Sequence, residues 1–142
     1  MTRYLEEGGK VTTIDRFEVM LKDARVNIKR MGLEDKIEIL EGDAGEILPT
    51  LTGPYDVIFL DAAKGQYPNF LAHIKRLLVP GGVFISDNVF FNGYVAKGEP
   101  DVRRNKTIVN RLNEYLSELE KISDMNTVLL PISDGVTLSC KL

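Results

Sequence analysis

Asp15, Asp43, Asp61 and the Asp87-Asn88 pair each close a short apolar or β-branched run, and Lys64 follows Asp61 by three residues. A carboxylate at one strand end is most simply a helix N-cap. Four in succession on one edge of a sheet would repel one another unless a cation or a hydrogen-bond donor joined them. The set therefore points to a ligand site. Asp15 closes the first visible strand, where an acid often holds ribose hydroxyls in dinucleotide-type folds. Asp43, after Glu41-Gly42, is suited to accept from the exocyclic amine of a base. Asp61, Asp87 and Asn88 offer only hard oxygen ligands, which suit Mg²⁺ or Ca²⁺ better than zinc. An amine three residues beyond Asp61 would feel a bound cation, whose field favours the neutral base. The plain alternative for Lys64 is a solvated lysine opening a helix.

These residues need elements to hold them, and the chain alternates strand and helix patterns. Residues 10–14 (KVTTI) form a short strand stopping at Asp15. Residues 17–31 set Phe17, Met20, Leu21, Ala24, Ile28 and Met31 at helical spacing, with Gly32 beyond the end. Residues 37–40 make a second strand, and a brief helical turn around 46–51 leads into Thr52-Gly53-Pro54, a loop signal. Residues 55–60 (YDVIFL) read as a strand buried on both faces. Tyr67, Phe70, Leu71, Ile74, Leu77 and Leu78 form a clean helical stripe, which Pro80-Gly81-Gly82 interrupts before a strand at 83–86. Residues 92–105 are a polar loop, either in contact with a substrate or a mobile surface segment. A helix follows with Ile108, Val109, Leu112, Tyr115, Leu116 and Leu119 on one face. Strands near 127–130 and 136–140 flank Pro131 to Gly135 as an antiparallel hairpin. The expected class is α/β, with a mostly parallel sheet covered on both faces.

The 142 residues suffice for one domain with a real core. Eighteen basic against 21 acidic residues give a net charge of -3 with no basic stripe, so nothing points to nucleic acid. No apolar run approaches the ~18–20 residues of a membrane span and no signal peptide is visible, which makes a cytoplasmic protein the expectation. The single histidine, His73, lies on the polar half of a helix, and Cys140 is expected in the core. Neither supports a triad or a His-based metal site.

The segments GGKVTTIDR, GLEDKIEILEGDA, GPYDVIFLDAAKGQYPNFL, LLVPGGVFISDNVFFNGYV and LLPISDGVTLSCKL resemble, in order, the cation-dependent O-methyltransferases of the caffeoyl-CoA and catechol type, bacterial members included. The resemblance implies a Rossmann-like class I methyltransferase sheet, S-adenosylmethionine as cofactor, a divalent cation (Mg²⁺ first), a catechol-like acceptor and a homodimer. Carried onto this chain, it makes Asp61, Asp87 and Asn88 the metal ligands and Lys64 the catalytic base. Asp15, Asp43, Ala44 and Asp61 become the cofactor-binding residues, Asp15 at the ribose and Asp43-Ala44 at the adenine edge.

One departure matters. Family members carry N-terminal helices and a first strand ending in a glycine-rich turn before the segment matching GGKVTTID, and no such motif stands here. That strand lies centrally in the family's sheet, between those ending at Asp15 and Asp61. Its absence would leave two interior edges with unpaired backbone groups. The expectation is thus a single methyltransferase domain over 1–142 that lacks its first strand and is impaired in isolation. The chain would be a fragment, a module completed by a partner chain, or a remnant without turnover. A non-catalytic nucleotide-binding or assembly module is the rival. A nicotinamide-dependent dehydrogenase ranks last, because it does not require the Asp61, Asp87 and Asn88 cluster.

Overall fold

The computed structural model describes residues 2–98 and 103–142, the side chain of residue 104 excepted. Its chain forms two compact units, one ending at Thr50 and the other beginning at Leu51.

In the first unit a 3-10 turn at Thr2–Tyr4 precedes strand β1 (Val11–Asp15), helix α1 (Glu18–Arg30), strand β2 (Ile37–Glu41) and the short helix α2 (Ala44–Ile47). β1 and β2 pair in parallel, from Val11 opposite Ile37 to Asp15 opposite Glu41. α1 stops where Gly32 takes φ +63°, its N–H bonding the Lys29 carbonyl and that of Leu33 the Ile28 carbonyl. This left-handed cap satisfies carbonyls that the last helical turn leaves open and favours glycine. The apolar stripe expected on α1 is only partly buried: Leu21 is enclosed, whereas Phe17, Met20 and Met31 are exposed.

The second unit holds β3 (Tyr55–Leu60), α3 (Tyr67–Leu77), β4 (Leu78–Ser86), α4 (Tyr94–Lys97), α5 (Arg103–Glu120), β5 (Met125–Leu130) and β6 (Val136–Lys141). The strand order is β3-β4-β6-β5, with β3 and β4 parallel and the other two pairs antiparallel. The final hairpin is as expected. α3 ends before Pro80: Leu78 is already extended and opens β4. Residues 94–97 of the expected loop are helical between the left-handed glycines 93 and 98, and residues 99–102 lie outside the described residues.

One face of this sheet is well covered. Tyr67, Phe70, Leu71, Ile74 and Leu77 of α3 and Val109, Leu112, Tyr115 and Leu119 of α5 are buried with Phe84, Ser86, Thr137 and Ser139 of the sheet. The other face differs from the expectation. Phe59, Ile85, Leu138 and Val128 stand in one row across four strands, and Val57, Phe59, Val128 and Leu138 are 40–54% exposed. Cys140, expected in the core, is exposed on this same face. Apolar alternate positions reveal that a strand can be covered on both faces, not that both covers are present.

Among the described residues the strands thus form two sheets, one within each unit: β1 pairs only with β2, and β3 only with β4. No helix among them is long and apolar enough to cross a membrane.

The two faces make different demands on stability. Phe84→Ala, at a fully buried position, should cost about 3–5 kcal/mol in urea unfolding. Phe59→Ala on the open face should cost about 1 kcal/mol or less. Equal losses would mean that the Phe59 face is covered.

Candidate functional site

The parallel pairing of β3 with β4 sets Leu60 opposite Ser86, and the Asp87 N–H continues the ladder to the Leu60 carbonyl at 3.0 Å. Asp61 and Asp87 therefore emerge from the ends of neighbouring strands. Asn88 then turns the chain at φ +54°, a left-handed conformation that asparagine tolerates better than most residues. Its N–H donates to Asp87 Oδ1 at 2.7 Å. The next two residues are anchored to the β5–β6 connection, with Val89 N–H bonding the Gly135 carbonyl and Phe90 N–H the Asp134 carbonyl. Gly135 is left-handed at φ +81°, and the Phe90 ring sits 2.6 Å from where a Cβ would be. Sequence reading saw Asp134-Gly135 only as hairpin punctuation; it also fastens the segment following Asn88.

Lys64 opens a 3-10 turn, Lys64–Gln66, between β3 and α3. Its Nζ donates to Asp61 Oδ1 and to the Tyr67 hydroxyl, each at 2.8 Å. The Lys64 side chain is 15% exposed and that of Asp61 54%. The Tyr67 hydroxyl also faces the carbonyls of Leu60 at 3.1 Å and Asp87 at 3.0 Å. From α5, Arg111 braces the turn through the Gly65 carbonyl and Asn69 Oδ1. Beneath it Tyr67 meets Tyr115 edge-on, ring centroids 5.3 Å apart. The Tyr115 hydroxyl bonds Ser86 Oγ, which also accepts from Thr137 Oγ1 at 2.8 Å. Tyr67, Tyr115 and Arg111 were legible only as helix-stripe or surface residues, because apart from Lys64 and Glu114, three positions from Tyr67 and Arg111, their partners are distant in sequence.

Burial pushes the Tyr67 phenol upward, with Asp61 and Asp87 adding to the shift, so it stays neutral. Burial likewise raises Tyr115 to about 12, opposed by its bond with Ser86.

In the first unit Asp15 and Asp43 end β1 and β2. Asp15 Oδ1 accepts from the Phe17 N–H at 2.9 Å, leading the chain into α1. Asp43 caps α2 by accepting from the Gly45 N–H at 2.8 Å, and its other oxygen pairs with Arg16 at 2.7 Å. Ala44 is the first residue of α2. Asp43 and Asp61 thus have cationic partners within the chain, Arg16 and Lys64. Repulsion among the strand-end acids does not by itself demand a ligand, contrary to the expectation from sequence.

Asp61, Asp87 and the Asn88 side chain bring two carboxylates and an amide carbonyl, a hard-oxygen donor set of the kind Mg²⁺ or Ca²⁺ takes. Among the described residues no group of three or more His, Cys, Asp or Glu side chains is assembled for a metal; this trio, with its amide, is of a different composition.

The whole chain, residues 1–142, matches the family model described as O-methyltransferase. The chain belongs to the O-methyltransferase family. It is 32% identical over 143 residues to a caffeoyl-CoA O-methyltransferase of Stellaria longipes, covering 94% of this chain and 58% of that protein. It is 36% identical over 99 residues to a catechol O-methyltransferase of Niastella koreensis, covering 67% and 45%. Among solved structures, the O-methyltransferase TomG of Streptomyces achromogenes, in complex with SAM, superposes with a TM-score of 0.85 at 28% identity over 98% of this chain and 65% of that one. The chain thus spans about half the length of the curated relatives it matches.

The buried tyrosines give this O-methyltransferase chain an alkaline limit. A phenol whose folded pKa exceeds its unfolded value near 10 keeps its proton longest in the folded state. The stability it contributes is complete below pH 10 and lost as pH rises toward the folded value. Stability should fall between pH 10 and 12, and Tyr115→Phe should flatten that slope. An unchanged slope in urea unfolding at stepped pH would contradict the assignment.

Proposed function

We propose that this chain carries the chemistry of an S-adenosylmethionine-dependent, divalent-cation-dependent O-methyltransferase acting on a catechol-like hydroxyl. One observation carries the reading: a shielded amine, Lys64, bonded to a carboxylate at the end of β3, with Asp87 and Asn88 at the end of the adjacent β4. The relatives named as caffeoyl-CoA and catechol O-methyltransferases, and the SAM bound by TomG, support the cofactor and the acceptor class.

Asp61, Asp87 and Asn88 would hold the cation, their oxygen donors matching its hardness. A cation bound there makes a chelated hydroxyl more acidic and fixes its orientation. Lys64 Nζ would take the proton of that hydroxyl, and the acceptor oxygen would bond the sulfonium methyl as its bond to sulfur breaks, the thioether leaving. Asp15 would bind the ribose hydroxyls and Asp43-Ala44 the adenine edge, with Asp61 also counted among the cofactor-binding residues. Positioning supplies much of the acceleration in such a displacement. A cytoplasmic setting and a homodimer belong to the same proposal.

A second reading, a non-catalytic nucleotide-binding or assembly module, is favoured for the 142 residues alone by one observation: the six strands divide into two sheets. On this ground the isolated chain is proposed to be weak or inactive as a catalyst. Methyl transfer to a catechol with S-adenosylmethionine and Mg²⁺ would exclude the module; cofactor binding without transfer would support it.

Asp87→Ala should weaken Mg²⁺ binding at least tenfold by calorimetry, because one carboxylate and an amide leave too few oxygens around the ion. Unchanged affinity would refute the ligand assignment. In a form that turns over, Lys64→Ala should lower methyl transfer far more than cofactor affinity. Equal losses would assign Lys64 a structural role.

A further inference from the structure

We propose that Tyr67 is the positioning residue for Lys64, its buried hydroxyl holding the amine against Asp61 while tying together the ends of β3 and β4; the functional part of this rests on Lys64 being the base. Tyr67 is fully enclosed, packed by its ring against Tyr115. Packing alone would be met by phenylalanine, without the cost of burying a hydroxyl. The hydroxyl instead accepts from Lys64 Nζ and directs its one proton toward the Leu60 and Asp87 carbonyls. These carbonyls belong to the residue before Asp61 and to Asp87 itself. A single oxygen thus joins the amine and both carboxylate-bearing strand ends.

Without that oxygen Lys64 would keep the half-exposed Asp61 and the face of the ring at position 67, whose centroid lies 5.1 Å from Nζ, but no buried hydrogen-bond acceptor among the described contacts. A pair of that kind contributes little order to a flexible four-carbon stem. Arg111 holds the backbone of the turn independently through Gly65. Loss of the hydroxyl should therefore release the lysine side chain and leave the turn in place.

The test is Tyr67→Phe in the 142-residue chain, followed by NMR of ¹⁵N-labelled lysine ammonium groups. In the unmodified chain the Lys64 ammonium protons should exchange with water at least tenfold more slowly than those of exposed Lys22. In Tyr67→Phe they should approach the Lys22 rate. An unaltered Lys64 rate in the folded variant overturns the proposal. Should the variant not fold, the unmodified chain decides: slow exchange supports the proposal, and exchange as fast as Lys22 overturns it. Where methyl transfer is measurable, Tyr67→Phe should lower kcat about tenfold with cofactor affinity unchanged within twofold, whereas matched losses overturn the positioning role. Released Lys64 protons in Tyr67→Phe, together with equal losses of methyl transfer and cofactor affinity in Lys64→Ala of a form that turns over, would uphold the positioning role and count against Lys64 as the base.

Discussion

The parallel registration of β3 against β4 is the constraint on which the candidate site depends. Leu60 opposite Ser86, extended by the Asp87 N–H, sets two carboxylates at adjacent strand ends. A shift of one residue would turn every side chain of β3 to the other face. It would also exchange the buried Leu60 for the exposed Phe59 against α3 and α5. The register is thus held by burial of one sheet face, and the core that positions the acids bonds the backbone of one of them, through the Tyr67 hydroxyl on the Asp87 carbonyl, and not their carboxylates. The Tyr67 hydroxyl and the Ser86–Tyr115–Thr137 bonds are the polar part of that core. They are satisfied where they lie, which buried polar groups require.

Electrostatics make the strand ends tolerable without a ligand. Lys64 neutralises Asp61, and Arg16 neutralises Asp43. The same pairings leave the chemistry available. The Lys64 amine is in contact with a carboxylate and shielded enough to be held rather than solvated. Asp15, which turns the chain toward α1, and Asp43, which caps α2, show how little distinguishes an ordinary helix entry from a ligand contact. Asp15 and Asp43 perform the first role in the chain itself, and their proposed roles toward a cofactor draw on the oxygens' chemistry and on the family.

Much of this was legible in the sequence because it is local. Periodicity located α3 and α5 with their buried faces, Gly32 marked a left-handed cap, and the Pro131 to Gly135 stretch marked the hairpin. Asp61, Lys64, Asp87 and Asn88 stood out because strand ends are recognisable from the runs before them. The residues supporting them did not. Tyr67 looks like one more apolar position in a stripe, and Arg111 like a surface charge; apart from their bonds to Lys64 and Glu114, three positions away, their bonds span from seven to 46 residues. Exposure was misjudged for the same reason. Phe59 and Cys140 are core-type residues on a face left open here, and composition cannot report which neighbours are present.

The central claim is that Asp61, Asp87 and Asn88 form a divalent-cation site beside Lys64. Titration of the ¹⁵N-labelled chain with paramagnetic Mn²⁺ tests it most directly. The account predicts selective broadening centred on the backbone signals of Asp61, Asp87 and Asn88 at substoichiometric metal. Broadening centred instead on exposed acids such as Glu34 and Asp35, with the ends of β3 and β4 unaffected, would contradict it.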